Sequence, residues 1–196
     1  THNPCRVDAV VTCTVSRNGD LIHRVYIECD GLSSSSRVHN LGSAIIDNVI
    51  LEIGGQEIDK HYGHWMETWA ELTEPNDTGY INSFTDPDLV DGTRFQNMSG
   101  FGGINGSANT DLNTPIFIPL FFWFCRNPGL ALPLIALQYH EVKIITKFAS
   151  STNITTIQLN LWVDYIYLDT DERRRFAQVS HEYLIEQVQT QDGSVN

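Results

Sequence analysis

The feature that most narrows the fold is a series of β-branched runs, punctuated by turns, at both ends of the sequence. Residues 7–15, Val7-Asp8-Ala9-Val10-Val11-Thr12-Cys13-Thr14-Val15, partly alternate apolar and polar positions, the period of a half-buried strand. Asn18-Gly19 follows at once and predicts a hairpin, because both positions tolerate positive φ, with residues 21–29 as the returning strand. Residues 45–53 predict another strand, Gly54-Gly55 a turn, and residues 56–59 a short strand closing that hairpin. Later, residues 116–125 are almost continuously apolar, which fits a strand buried on both faces. After the turn Asn127-Pro128-Gly129, residues 134–148 predict a long strand. Residues 155–168 predict one more, with Ile157, Leu159, Leu161, Val163 and Tyr165 on one face. About eight strands with one early helix and long connections spell an all-β jelly-roll β-sandwich rather than an α/β fold.

The helical signals are short. Tyr62, Trp65, Met66 and Trp69 stand at i, i+3, i+4 and i+7, one face of a helix within residues 60–72, and Pro75 lies just beyond. From Thr73 to Asn113 the composition turns to Gly, Asn, Asp, Ser and Thr, which predicts long surface loops; residues 33–36 read as a shorter one. Asp169-x-x-Glu172 resembles a capping box and predicts a helix from Thr170 to Gln178, with residues 181–189 extended after it.

Composition excludes several classes. Twelve Lys and Arg against 24 Asp and Glu give a net charge of −12 over 196 residues, a poor balance for binding bare nucleic acid. The longest apolar run carries Pro119 and is about half a membrane span, so no transmembrane helix is expected, and no cleavable signal peptide is read. The sequence opens Thr1-His2-Asn3 without an initiator Met and reads as a processed chain or a fragment. Cys5, Cys13, Cys29 and Cys125 form no C-x-x-C pair and read as small buried thiols in strands.

Candidate chemistry is sparse. His61-x-x-His64, with Glu57, Asp59 and Glu67 close by, is the nearest approach to a metal site, yet it lacks the i, i+4 histidine spacing of H-E-x-x-H, so no metal and no cofactor are expected. Tyr62, Trp65 and Trp69, with loop aromatics such as Tyr80 and Phe101, offer an alternative function as a carbohydrate-binding module; the helical spacing favours packing or an interface. Residues 100–106 are glycine-rich but match no phosphate-binding loop, and no nucleophile elbow or acid/base carboxylate pair stands out, so the chain does not read as an enzyme. Arg173, Arg174 and Arg175 form the basic run, nearly neutralised by neighbouring acids, and suit salt bridges at a domain or subunit junction. Asn76, Asn97, Asn105 and Asn153 begin N-glycosylation sequons.

Four runs together resemble one family. Ser16-Arg17-Asn18-Gly19-Asp20-Leu21-Ile22, residues 53–63 around Ile53-Gly54-Gly55-Gln56, residues 132–142 around Leu132-Pro133-Leu134, and Tyr165-Ile166-Tyr167-Leu168-Asp169 with Glu172-Arg173-Arg174-Arg175-Phe176 are similar, in order, to major capsid proteins of large nucleocytoplasmic DNA viruses. The resemblance implies two tandem jelly rolls per subunit and trimers of hexagonal outline that tile an icosahedral shell. It places residues 1–168 in the first roll, lacking that roll's first strand, and residues 169–196 at the junction and the truncated start of the second. It also implies neighbouring capsomers and minor capsid proteins as partners, a membrane beneath the shell that the chain does not span, no direct nucleic-acid contact, a place in the virion, and assembly in the host cytoplasm. On this resemblance Trp65, Trp69 and the Arg173–Arg175 run serve packing, inter-domain or subunit contacts.

Overall fold

The computed structural model describes residues 3–5, 10–30, 40–74, 93–102, 115–150, 157–179 and 182–191. Among the described residues, nine strands form two sheets. The first has the order β1 (Asn3–Cys5), β9 (Ile157–Ile166), β3 (Leu21–Asp30) and β6 (Ile116–Pro119), with the two-residue β7 (Leu132–Pro133) also on β3. The second has the order β2 (Val10–Thr14), β8 (Val142–Phe148), β4 (Ile46–Ile53) and β5 (Gln56–Tyr62). All of these pairings are antiparallel. Early strands pair with late ones, β1 with β9 and β2 with β8, while the chain passes from sheet to sheet, which is the jelly-roll pattern.

The strand period explains the core. On β3, Val25, Ile27 and Cys29 point inward while Tyr26, Glu28 and Asp30 alternate on the other side. Val142, Ile144, Thr146 and Phe148 do the same on β8, and Val49 and Leu51 meet them from β4. Helix α1 (Leu41–Ala44) leads into β4, and α2 (Gly63–Thr73) buries Met66 and Ala70, one turn apart. The expected helix therefore starts at Gly63, and Tyr62 stays in the strand. Fully buried Phe101, Phe122 and Phe124 add an aromatic plug to the core.

Several expectations are corrected. Asn18-Gly19 makes no hairpin, since β2 and β3 lie in different sheets. Each flank is already bonded elsewhere: Val15 N–H donates to the Val142 carbonyl and Asp20 N–H to the Ile166 carbonyl. Gly19 is needed there for close approach, because a Cβ would lie 2.6 Å from Cβ of Tyr165. The β4–β5 hairpin does form, with φ of +60° at Gly54 and +83° at Gly55. The run 116–125 is not one strand. Pro119 ends the ladder of β6, and the aromatic residues that follow turn into α4 (Trp123–Arg126). Residues 134–140 form successive turns rather than strand, with Leu137 N–H bonded to the Leu134 carbonyl and His140 N–H to that of Leu137. Inside the expected loop, α3 (Arg94–Ser99) carries a reciprocal capping box between Thr93 and Gln96. Helix α5 (Thr170–Gln178) stands where expected, its N-cap Asp169 accepting the Glu172 N–H at 2.8 Å. Residues 182–191 run on without strand pairing among the described residues.

Two substitutions test the hairpin. Gly55→Ala places a side chain at positive φ with nothing within 4 Å, so strain alone should cost about 1 kcal/mol. Gly54→Ala adds a Cβ 2.5 Å from Nδ1 of His140 and should cost more, about 2–3 kcal/mol, in urea unfolding.

Candidate functional site

The runs singled out in the sequence meet at one end of the sandwich. Arg17 donates its guanidinium to the carbonyls of Leu137 and His140, the latter at 2.9 Å, and so clamps the turns of residues 134–140. Gly54 lies under the His140 ring, and its N–H donates to the Glu141 carbonyl at 2.9 Å. The Tyr165 hydroxyl donates to the Ser16 carbonyl. Oδ2 of Asp20 accepts the Leu168 N–H at 2.7 Å and Nε of Arg173 at 3.0 Å, fixing the start of α5. Burial alone would raise the Asp20 carboxyl, but the bonds from Leu168 and Arg173 outweigh it and hold it below the usual carboxylate range. Of the three arginines, Arg173 reaches back across the sandwich end to Asp20. Arg174 stands 3.6 Å from Asp171 on the exposed side of α5, and Arg175 lies one turn before the helix end.

Beside this network lies an apolar groove of about 730 Å³, lined among others by Ile53, Ile58, Leu137, Phe176, Tyr183 and Ile185. Tyr139, 93% exposed, stands at its rim. Residues 182–191 pass from this groove to the edge strand β5.

A second cluster backs that edge strand. Asp59 and His61, two residues apart on β5, share its buried side. Nε2 of His61 lies 2.9 Å from Oδ2 of Asp59 but off the hydrogen-bonding direction, so neither ring nitrogen has a well-formed bond. The imidazole is packed between Trp65, at 4.1 Å, and Phe122, at 4.6 Å. Trp65 stacks on Trp69 at 5.6 Å, and the Arg126 guanidinium lies 4.3 Å over the Trp69 ring.

Other candidates separate. His64 is exposed on α2, while Oε1 of Glu67 accepts the Gly102 N–H at 2.6 Å, so the His61, His64 and Glu67 trio is not brought together. Among the described residues no group of three or more His, Cys, Asp or Glu could hold a metal ion, and no helix is long and apolar enough to cross a membrane. Phe101 is wholly buried and cannot serve as a loop aromatic for sugars. Tyr80, Asn76, Asn105 and Asn153 lie outside the described residues. The Asn97 amide donates to the Thr93 carbonyl at 3.0 Å, and Ser99 of that sequon is buried. Burial pushes the Cys125 thiol up to about 12 despite its hydrogen bonds and nearby arginines, leaving it an unreactive thiol. Sequence reasoning missed Arg126 and gave Asp20 no role beyond its place in the run 16–22; it grouped Asp59 with His61 as a candidate metal set, where the structure shows a buried carboxylate beside the ring.

Residues 5–169 match the family model described as the N-terminus of the major capsid protein. The chain belongs to the viral major capsid protein family. It is 50% identical to the major capsid protein of Pyramimonas orientalis virus over 188 residues, 91% of this chain and 45% of that protein. It is 42% identical to that of Phaeocystis pouchetii virus, covering 94% of this chain and 44% of that one. A chain in a quasi-atomic model of the PBCV-1 virus capsid superposes with a TM-score of 0.76 at 35% identity, over 96% of this chain and 46% of that one. The chain thus spans about half the length of the capsid proteins it matches. The likeness in structure extends to the jelly-roll fold described above.

Asp20→Asn should weaken the seat of α5 and lower stability by about 1 kcal/mol at neutral pH. Because the folded carboxyl sits below its unfolded value, the wild-type advantage is complete above the unfolded pKa of about 4. It should fade as pH falls through the lower folded value, as urea unfolding at several pH values will read.

Proposed function

We propose that this chain is the first of two tandem jelly rolls in a structural capsid subunit, and that the complete subunit forms trimeric capsomers of hexagonal outline in an icosahedral shell. The observation that carries the reading is the superposition of 96% of this chain on 46% of a capsid chain. The family match ends at residue 169, beside the boundary that assigns residues 1–168 to the roll and 169–196 to the junction and the start of the second roll. Exposed Leu184 and Ile185, on a segment without strand partners, fit the opening of a further domain. A sandwich with a continuous core supplies a stiff wall.

Partners on this reading are two further copies, neighbouring capsomers and minor capsid proteins. A net charge of −12 suits a shell parted from the genome by a membrane that the chain does not span. The protein would reside in the virion and assemble in the host cytoplasm, where its sequons would bypass the secretory route to glycosylation. It would turn over no substrate. The carbohydrate-binding alternative is less favoured, since Trp69 stacks on Trp65 and carries the Arg126 guanidinium over its ring.

The test is the intact mass of the native polypeptide, followed by light scattering of capsomers released from particles. A polypeptide about twice 22.1 kDa, recovered as a species of three copies, is expected. A polypeptide close to 22.1 kDa that stays monomeric would overturn the reading.

A further inference from the structure

Residues 182–191 pair with no strand among the described residues, yet three residues of this arm are bonded to the body. Val188 donates its backbone N–H to Oδ1 of Asp59 at 3.0 Å, and the Glu186 carboxylate pairs with the Arg126 guanidinium. Between them, the Gln187 side-chain amide donates to the Ile58 carbonyl on β5. The two receptor groups sit on different elements, Asp59 on β5 and Arg126 on α4. A file of rings joins them. From Asp59 the contacts run to His61 at 2.9 Å, Trp65 at 4.1 Å, Trp69 at 5.6 Å and Arg126 at 4.3 Å. The path leaves the arm at Val188 and returns to it at Glu186, so it is closed.

We propose that this closed circuit is a clamp for the arm of residues 182–191, in which Trp65 and Trp69 are positioning residues that set the spacing between the carboxylate and the guanidinium. An extended chain advances about 3.3 Å per residue, so the clamp grips two points about 7 Å apart on the backbone. The partner it fits is an extended segment with a Glu and, two residues on, a free backbone N–H, here Glu186-Gln187-Val188 of the same chain. Asp59 supplies the thermodynamic reason. Its carboxylate is 4% exposed, and Oδ1 takes two N–H groups, from Lys60 at 2.9 Å and from Val188. A buried carboxylate that loses a donor carries its desolvation cost uncompensated, so release of the arm and opening of Asp59 to water are one event. The clamp also covers part of the outer edge of β5, which would otherwise be open to pairing with other chains. What the arm leads to rests on the two-roll reading; the clamp itself is a property of this chain.

Amide exchange across residues 185–190 of this chain tests it without any second domain. Glu186→Gln and Trp69→Leu should each raise exchange of the arm about tenfold while the β3 and β9 amides stay protected. Trp69 touches no arm residue in the circuit, so its effect separates a clamp from a direct contact. The double variant should exceed neither single by more than about twofold, because both break one circuit. Wild-type arm amides exchanging at the rate of an unstructured peptide, or full additivity of the two changes, would overturn the proposal. If Trp69→Leu also loses β3 protection, Arg126→Gln, which keeps the Trp65–Trp69 stack, must release the arm. An arm unchanged in that variant refutes the clamp.

Discussion

Everything in this molecule depends on two late strands that insert between early ones. β9 lies between β1 and β3, and β8 lies between β2 and β4, so neither sheet closes until the last third of the chain has arrived. The two inner faces then meet, with Val25, Ile27 and Cys29 of one sheet and Val49, Leu51 and Ile144 of the other in one apolar cluster. Loop-closure entropy must be overcome before such distant pairings contribute, which makes this a slow topology to assemble and a cooperative one once formed.

That constraint also explains which parts of the sequence were readable. β3, the β4–β5 hairpin, β9 and α5 each carry their own period or cap, so residues 21–29, 45–59, 155–168 and 170–178 announced themselves. Asn18-Gly19 misled because a turn signal is local, whereas the partners of Val15 and Asp20 are Val142 and Ile166, fixed by the distant strands. The run 116–125 misled because apolar content alone does not separate a buried strand from a buried aromatic plug, and Pro119 was the mark of the change. The Thr93–Gln96 capping pair that starts α3 went unread, because the polar composition around it spelled loop.

The site shows the same division. The runs resembling the capsid family were visible as sequence, but their reason is spatial: Arg17 binds the turns at Leu137 and His140, Gly54 makes room for His140, and Asp20 holds Leu168 and Arg173. These contacts knit the crossing between sheets, the hairpin tip and the start of α5 into one end of the sandwich. Trp65 and Trp69 were recognisable as packing residues from helical spacing. Their neighbour Arg126 was not, because a single charge in a short helix carries no period, while Asp59 stood out beside His61 only as part of a candidate metal set. What these contacts do is fix geometry, holding the turns, the hairpin tip and the helix start in one arrangement.

The most direct measurement is an electron cryo-microscopy reconstruction of the particles that contain the native polypeptide. The account predicts shell density into which this sandwich fits as one of two rolls in every subunit, with the Arg17–His140 end continuous with the second roll through α5. A shell whose repeating unit contains no such sandwich, with the polypeptide found elsewhere in the particle, would contradict it.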